Sequence, residues 1–439
     1  MAGLCIVAAT LMYALPLTVI GVRFARRNGA SLRGQLELSE GPSARPPPGW
    51  TVFALIPCLN EERVIADTVR ELLAGQPGVR AVVIDDGSGD ATAELARTAG
   101  RGRITLVRRT LPEARRGKGA ALNAGLLAVR RCVEDEGLDP VRVLVCVLDA
   151  DGRLTPGAAA RVAPSFDAPA VGGAQVAVRI RDRRNWVLRF QDIEFWGLSA
   201  LTQFGRVSTG SVSIGGNGQF TRLAALDSIG PAPWSDSLTE DLDLGISLAV
   251  HGWTVTSTTG AYVSQQGLTC PRRLLRQRTR WYQGHMSAIT RLPELWAAPT
   301  ADAKARLELT GYLLVPYAIT LPWSIAQQYL LVHTLHTVYN NATTLTAPAA
   351  GPVWGAAVTG IGWYLVSFSL YLAWALLYWR RADDLPLWKA VCYSHATVLW
   401  TYVGFAACWR ALWRMAAGRT GWSKTERTRE TPVPEPRVS

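Results

Sequence analysis

The sequence predicts an α/β protein with a doubly wound, mostly parallel sheet flanked by helices, together with α-helical transmembrane segments. From Thr51 onward, short apolar segments rich in β-branched residues alternate with helical stretches, a pattern typical of parallel sheets covered by helices. Long apolar runs occur near both ends of the chain. The chain of 439 residues also contains 17 Trp and only 18% charged residues, which favours a partly membrane-embedded protein.

The alternation is regular up to residue 151. Strands are predicted at 52–56, 80–85, 104–107 and 143–151, and helices at 61–74, 91–98 and 119–131. The strand that begins at Val143 is apolar and leads into Asp149 and Asp151. Residues two apart on a strand point the same way, and open α/β sheets bind ligands at the carboxyl ends of their strands. We therefore expect both carboxylates to face one ligand. Further on, the sequence predicts a strand at 172–180, an amphipathic helix at 186–201 and a small-residue loop at 210–218.

The N-terminal apolar run, residues 2–22, precedes its positive charges, Arg23, Arg26 and Arg27. This order favours a membrane anchor over a cleaved signal peptide and places the following residues in the cytosol. Three C-terminal runs, 309–339, 353–379 and 388–413, are each long enough to cross a bilayer. Four crossings would leave the arginines at the C-terminal end outside, against the positive-inside rule. We therefore expect either the first of the three, which contains Pro316 and Pro322, or the last to be re-entrant or interfacial.

The net charge is +12, which favours a negatively charged partner. Anionic lipid and a phosphate-bearing substrate explain this charge better than nucleic acid does, because the long apolar runs already indicate a membrane protein. The seven Cys are scattered, with no C-x-x-C pair. They predict neither a disulfide framework nor a zinc site.

Polar residues follow two predicted strands and open one helix. Asp85 and Asp86 end the second strand in Asp85-Asp86-Gly-Ser88, which suits either a simple turn or the binding of a ribose or base. Lys118 opens a helix and can meet a phosphate there, although its neighbours do not form a G-x-x-x-x-G-K-[ST] loop. Asp149 and Asp151 could cap the strand end, or could hold a Mg or Mn ion together with a diphosphate.

Two later helices carry further candidates. Acids in a first helical turn are favoured by the helix dipole, so Glu240, Asp241 and Asp243 have a structural explanation. The functional interpretation makes Asp241 a catalytic base, with the other two as alternates. In the basic helix that follows, Gln277, Arg280 and Trp281 share one face. That helix could rest on anionic lipid, while Arg280 could neutralise a departing diphosphate and Trp281 could support a sugar ring.

Taken in order, these motifs resemble the family-2 inverting glycosyltransferases of the membrane-integrated, processive type. That group includes the cellulose, chitin, hyaluronan and poly-N-acetylglucosamine synthases. The resemblance covers roughly residues 52–284, with a similar tail at 421–427. It rests on the motifs Pro57-Cys-Leu-Asn-Glu61, Asp85-Asp86-Gly-Ser88, Gly117-Lys-Gly119, Asp149-Ala-Asp151, Thr239-Glu-Asp241 and Gln277-Arg-Thr-Arg-Trp281. The chain departs from many relatives at Ser264–Pro271, where they carry a Glu-x-Pro.

The resemblance implies the single-domain nucleotide-sugar transferase fold and a role for each motif. Asp85 and Asp86 would hold the uridine and Lys118 would support the nucleotide. Asp149 would lie on the nucleotide side, and Asp151 would bind the Mg or Mn ion. Asp241 would be the general base, with Glu240 beside it. The acceptor and leaving group would be held by Gln277, Arg280 and Trp281.

The resemblance also divides the chain into five parts. These are an N-terminal transmembrane helix (1–27), a linker (28–50), a cytosolic catalytic domain with interface helices (51–290), a C-terminal transmembrane bundle (291–415) and a polar basic tail (416–439). The expected location is the plasma membrane. An accessory membrane subunit would be compatible with this arrangement.

The expected reaction adds a sugar from a UDP-sugar to the non-reducing end of a β-linked polysaccharide, which then leaves through the transmembrane part. UDP-N-acetylglucosamine is the favoured donor and UDP-glucose the second. The alternative is a non-processive transferase with a lipid or polyprenyl-phosphate acceptor. Two remoter readings are a haloacid-dehalogenase-like phosphatase, suggested by Asp149-Ala-Asp151, and a non-catalytic membrane subunit.

Overall fold

The computed structural model describes residues 2–28, 45–344, 368, 371–382 and 384–419. Its sheet has eight strands. They are β1 (Thr51–Cys58), β2 (Val79–Asp85), β3 (Ile104–Arg108), β4 (Val143–Val147), β5 (Arg153–Leu154), β6 (Val171–Ile180), β7 (Gln219–Arg222) and β8 (Thr254–Gln265).

The helices of the catalytic region cover both faces and the carboxyl edge of the sheet. They are α1 (Ala2–Arg27), α2 (Ile65–Gly75), α3 (Thr92–Gly100), α4 (Lys118–Asp135), α5 (Ala158–Val162), α6 (Trp186–Asp192), α7 (Ala200–Arg206), α8 (Leu223–Ile229), α9 (Glu240–Val250) and α10 (Pro271–Ser287). Farther along the chain lie α11 (Leu292–Ala297), α12 (Ala303–Val315), α13 (Leu321–Thr344), α14 (371–382) and α15 (Leu387–Ala416).

The sheet is mixed, with six of its eight strands in one direction and β7 and β5 reversed, whereas the sequence did not predict the reversed strands. Its strand order is β3-β2-β1-β4-β7-β6-β8-β5. The β3-β2-β1-β4 half is parallel, whereas β7 runs antiparallel to both β4 and β6. In the second half only β7 and β5 are reversed, while β6 and β8 run in the direction of β4, and the carboxyl ends of β1, β2 and β4 meet at one edge.

Three strands were not predicted, namely β8, β7 and the two-residue β5. In β8 partly buried and buried residues alternate, and most of the partly buried positions are Thr or Ser. Alternation of this kind is typical of a half-buried strand, but the segment lacks the continuous apolar run that predicts the other strands. β7 has only four residues. At the other end of the domain, β1 extends through Pro57 and Cys58, beyond the predicted end at residue 56, and the helix predicted from residue 61 begins at Ile65.

The parallel half of the sheet is buried on both faces. Along β1, Val52, Ala54 and Ile56 pack into one apolar cluster, while Phe53 and Leu55 pack into the other. This explains why the first strands read as continuous apolar runs, since helices cover them on both sides.

The helix predicted at 186–201 is present and extends farther, through α6, the π-helical segment Ile193–Ser199 and α7. It packs closely against α1. A Cβ at Gly21 would lie 1.9 Å from the carbonyl oxygen of Leu201, and one at Gly205 would lie 2.1 Å from that of Leu17. The two backbones are in direct contact, so α1 is attached to the catalytic region along its second half.

One stretch among the described residues, Ala303–Tyr329, is long and apolar enough to cross a membrane. It comprises α12, a π-helical turn that begins at Pro316, and the start of α13. Most of the run predicted at 353–379 and most of the linker at 28–50 lie outside the described residues. The crossings predicted at 2–22, 353–379 and 388–413 stay predictions.

Candidate active site

The two acids after β4 are held by a loop and by the end of β8. The backbone N–H of Asp149 donates to Oδ1 of Asn217 over 3.2 Å, and Nδ2 of Asn217 donates to Oε1 of Gln265 over 2.8 Å. Asp151 is fully buried, and its Oδ2 accepts a hydrogen bond from the backbone N–H of Gln266 at 2.9 Å. The segment that departs from the family pattern therefore positions both carboxylates.

Lys118 joins these acids to the start of α9. Its Nζ lies 2.7 Å from Oδ1 of Asp149 and 3.6 Å from Oε1 of Glu240. Gly216 completes this group, because a Cβ there would lie 2.9 Å from Oδ2 of Asp241 and 3.1 Å from Nζ of Lys118. A cation and three carboxylates from β4, α4 and α9 thus meet beside a glycine loop.

Asp85 and Asp86 lie at the neighbouring strand end and are both buried. Oδ1 of Asp85 accepts from the backbone N–H of Ser88 at 3.0 Å, and the side chain of Asp86 pairs with Arg109. The loop that follows β1 contacts this turn as well, since the backbone N–H of Asn60 donates a hydrogen bond to Oγ of Ser88 at 2.9 Å. The Asp85-Asp86-Gly-Ser88 turn is therefore a fixed part of the same carboxyl edge.

Helix α10 packs against the start of α9. A Cβ at Gly284 would lie 2.5 Å from Oγ1 of Thr239, and the Arg280 guanidinium donates to the carbonyl oxygen of Leu238 at 3.3 Å. This places Arg280 beside Asp241, whose charge it helps to stabilise. The structure thereby brings together the two helices that carry the predicted base and the predicted leaving-group cation.

Trp281 and Gln277 lie on the same helix and are half-buried. The Trp281 ring meets that of Phe195 edge-on, with 6.0 Å between centroids. Arg278 stacks on the Trp281 ring and pairs with Glu194. Asp243, an alternate for the base, pairs instead with Arg291.

The buried charges perturb one another. Burial would lower the pKa of Lys118, but the neighbouring carboxylates of Asp149, Glu240 and Asp241 outweigh it and raise that pKa. Burial, followed by the repulsion from Glu240, raises the pKa of Asp241 to about 7, even though Lys118 and Arg280 oppose the shift. Burial also raises the pKa of Asp86. A carboxyl group that titrates near neutral pH is suited to general base catalysis.

Residues 47–284 match the model of the family described as "Glycosyltransferase like family 2". The chain belongs to this family. The predicted membership is thus confirmed, and with it the prediction of a glycosyltransferase, whereas the narrower resemblance to the processive synthases stays a prediction.

Two curated relatives of this family-2 glycosyltransferase are β-monoglucosyldiacylglycerol synthases. That of Synechocystis is 31% identical over 280 residues, which are 61% of this chain and 54% of the relative. That of Trichormus variabilis is 30% identical over 318 residues, 70% of this chain and 62% of the relative. The chain therefore spans between about half and two thirds of the length of these relatives.

A solved structure shares the fold. The mannosyltransferase PcManGT of Pyrobaculum calidifontis, determined in complex with GDP-mannose and Mn²⁺, is 17% identical with a TM-score of 0.53. The match covers 94% of this chain and 99% of that chain. At this level of identity the likeness shows the nucleotide-sugar transferase fold alone, which confirms the predicted fold.

The residues at the site fit a divalent cation whose coordination is completed by a bound substrate rather than by protein side chains alone. Within the described ranges, no group of three or more His, Cys, Asp or Glu could hold a metal. The carboxylates of Asp149 and Asp151 share one strand end. Mg²⁺ is commonly bound through one or two carboxylates plus substrate phosphates, so this donor set fits the predicted Mg or Mn ion.

Gly216, Asn217, Gln265 and Gln266 were not predicted as site residues. Their contacts join positions far apart in the chain, and Gln266 acts through its backbone. The available signals were the Gly215-Gly-Asn-Gly218 pattern and the departure from the family pattern in Ser264–Pro271.

Proposed function

We propose that this protein is an inverting glycosyltransferase that transfers a hexose from a UDP-sugar to the hydroxyl group of a membrane lipid. This is the non-processive alternative considered from the sequence, and it takes the place of polysaccharide synthesis as the leading hypothesis. Support for a lipid acceptor comes from the two relatives, which are named for a glucosylated diacylglycerol. Glucose accordingly becomes the first sugar to test, ahead of N-acetylglucosamine.

The observation that carries the proposal is the surroundings of Asp241. Its carboxylate lies at the start of α9 between Lys118 and Arg280, with the glycine loop against Oδ2. A base beside cations suits an in-line displacement, in which the acceptor hydroxyl loses its proton as the nucleoside diphosphate departs. Attack of this kind inverts the anomeric carbon, so an α-linked donor would give a β-glycoside.

The remaining residues would hold the donor. Asp85 and Asp86 would bind the uridine, Lys118 and Asp149 would lie on the nucleotide side, and Asp151 would bind the Mg or Mn ion. When bound, this ion would neutralise charge on the diphosphate. Arg280 would stabilise the leaving group from the protein side, and Glu240 would keep Lys118 in place through their 3.6 Å contact.

The acceptor would approach along α10. Trp281 and Phe195 form an aromatic surface beside Arg280. The candidate membrane-crossing stretch lies close by, because Tyr317 donates a hydrogen bond to the carbonyl oxygen of Met286 at 3.1 Å. We place the protein at the cytosolic face of the plasma membrane, where a lipid hydroxyl can reach the base.

The deciding experiment is a donor screen on the purified protein in nanodiscs that contain diacylglycerol. UDP-glucose, UDP-N-acetylglucosamine, UDP-galactose, UDP-glucuronate and GDP-mannose would be tested with Mg or Mn. Nucleoside-diphosphate release would be measured and lipid products identified by mass spectrometry, with Asp241→Asn as the inactive control. Release coupled to a single-sugar lipid supports the proposal. The absence of a lipid product with every donor contradicts it.

A polysaccharide product is the second candidate, and the Gln277-Arg-Thr-Arg-Trp281 motif favours it. In the same screen, a high-molecular-weight product would establish this candidate instead. Trp281→Ala separates the two further. If Trp281→Ala makes shorter polymers but still hydrolyses the donor, the Trp281 ring supports a growing chain.

A further inference from the structure

We propose that Glu194 and Arg278 are positioning residues for the acceptor, because together they hold the ring of Trp281 in one orientation. The inference rests on the function proposed above in one respect, namely that Trp281 supports the acceptor. It does not depend on whether that acceptor is a lipid or a growing polysaccharide. It adds two charged residues to the acceptor side of the site, and one of them lies 84 residues before the other in the chain.

Four side chains from two elements make up the arrangement. Glu194 and Phe195 lie on the π-helical segment Ile193–Ser199, and Arg278 and Trp281 lie on α10. The guanidinium carbon of Arg278 lies 4.7 Å from the centre of the Trp281 ring and 5.4 Å from the centre of the Phe195 ring. The two rings also contact each other edge-on. Both rings therefore share one cation, at distances suited to a cation–π interaction.

The carboxylate of Glu194 keeps this cation in place, because it pairs with Nη2 of Arg278. An arginine side chain has many rotamers in water, so stacking on a half-buried ring would not by itself fix it. The Arg278 side chain is only 14% exposed and that of Glu194 is 38% exposed, so solvent screens the pair less than it screens a fully exposed one. Fixing Arg278 also fixes the ring, because Trp281 lies one turn farther along α10 and can rotate only by breaking the stack.

The π-helical segment explains how one short stretch of chain supplies both partners of Arg278. Glu194 and Phe195 are adjacent, and adjacent residues on a regular α-helix do not face the same neighbour. Both nevertheless contact Arg278. Asp192, just before the segment, accepts a hydrogen bond from the backbone N–H of Ile180 at 2.8 Å, which anchors the segment to β6. π-helical turns are rare and frequently lie at functional sites.

Two arginines on α10 thus have separate tasks. Arg280 lies beside Asp241 and helps to stabilise its charge. Arg278 contacts the two rings instead. Loss of the pair between Glu194 and Arg278 should therefore weaken the use of the acceptor and leave the binding of the donor unchanged.

The test compares Glu194→Gln with Asp227→Asn in nanodiscs that contain diacylglycerol. The control carboxylate also pairs with an arginine, Arg130, and its side chain is 39% exposed, close to the value for Glu194. In Glu194→Gln the acceptor KM should rise at least about fivefold, and the donor KM should stay within about twofold of wild type. Asp227→Asn should change neither constant. Equal rises of both constants in Glu194→Gln, or an unchanged acceptor KM, would overturn the proposal.

A double-mutant comparison shows whether Glu194 acts through the ring. If it does, Glu194→Gln should have no further effect on the acceptor KM once Trp281→Ala has removed the ring. Independent effects of the two substitutions would overturn the proposal.

Arg278→Lys separates positioning from a purely structural role. This variant keeps a charge that can pair with Glu194, but it loses the planar guanidinium group that stacks on the rings. The acceptor KM should therefore rise with little change in Tm. A lower Tm with a wild-type acceptor KM would show that the ion pair only stabilises the fold.

The ring itself can be observed by fluorine NMR of the full-length protein labelled with fluorotryptophan. The resonance of Trp281 is the one that disappears in Trp281→Phe. It should shift or broaden in Glu194→Gln and not in Asp227→Asn, and an unchanged resonance in Glu194→Gln would overturn the proposal. This measurement needs no acceptor. A wild-type protein that forms no glycolipid but shows the shift would contradict the lipid acceptor and still support the positioning of Trp281.

Discussion

The Lys118 ammonium group lies 2.7 Å from Oδ1 of Asp149, and this contact connects the start of α4 to the end of β4. Both side chains are about one quarter exposed, so the pair lies at the floor of an accessible site. The same ammonium group faces Glu240 and Asp241. Before a donor binds, the protein thus supplies its own cation where the proposed function requires positive charge.

The first prediction removes this cation. In Lys118→Gln the three carboxylates lose their shared counter-charge, and the pKa of Asp241, now about 7, should rise. The acidic limb of the pH–rate profile should therefore move to higher pH, and the donor KM should increase. Arg130→Gln is the matched control, because Arg130 lies on the same helix as Lys118 but pairs with Asp227 of α8. An unchanged acidic limb in Lys118→Gln would contradict the electrostatic coupling.

The second prediction concerns the base. Asp241→Asn keeps the shape of the side chain and removes its proton affinity, so transfer should fall by about 10²–10⁴-fold. Binding of UDP, measured by calorimetry, should survive. Asp243→Asn is the control, because that carboxylate pairs with Arg291, and its activity should stay within a few-fold of wild type. The reverse order of effects would reassign the base.

The third prediction is the pH dependence of the unmodified protein. The base acts only when ionised, and the pKa of Asp241 is raised to about 7. Activity should therefore be full above this pH and fall about tenfold per pH unit below it. Initial rates at saturating donor from pH 5 to 9 would measure the limb. A rate that stays constant down to pH 5 would show that a carboxyl group with an ordinary pKa performs the step.

The fourth prediction tests the glycine loop. A Cβ at Gly216 would meet Oδ2 of Asp241 at 2.9 Å and Nζ of Lys118 at 3.1 Å, and the φ of this residue is +74°. Gly216→Ala should therefore reduce kcat at least tenfold. In Gly215→Ala the added Cβ would lie near only Oε1 of Gln175, at 3.9 Å, so this substitution should have little effect on kcat. Equal effects of the two substitutions would show that general loop strain, rather than contact with the site, matters.

The fifth prediction concerns the support of the strand end at which we propose that a metal ion binds. Asn217→Ala removes both the acceptor for the Asp149 N–H and the donor to Gln265. Loss of such supporting contacts commonly weakens metal affinity 10–100-fold, so half-maximal activity should require at least tenfold more Mn²⁺. Gln265→Glu keeps an oxygen acceptor for Asn217 and should require less added metal than Asn217→Ala. An unchanged Mn²⁺ requirement in Asn217→Ala would contradict the positioning role.

The sequence predicted the parallel half of the sheet because β1, β2 and β4 are covered on both faces and therefore contain continuous apolar residues. It predicted poorly where burial is one-sided, as in β8, because the partly buried Thr and Ser residues interrupt the apolar pattern of that strand. The same contrast applies to the site. Acids at strand ends and helix starts have a local signature. Gln265 and Gln266 acquire their role only because β8 brings them beside β4, and a backbone donor has no side-chain signature at all.

The backbone contact between α1 and α7 has a practical consequence for preparing this enzyme. The close approach at Gly21 and Gly205 makes the N-terminal helix a component of the catalytic fold rather than a replaceable anchor. A truncation that begins at the first strand would expose the surface of α7 that α1 covers, including its buried residue Leu201. A shortened version intended for crystallisation would therefore be expected to aggregate. Detergent-stable full-length protein is the better starting material.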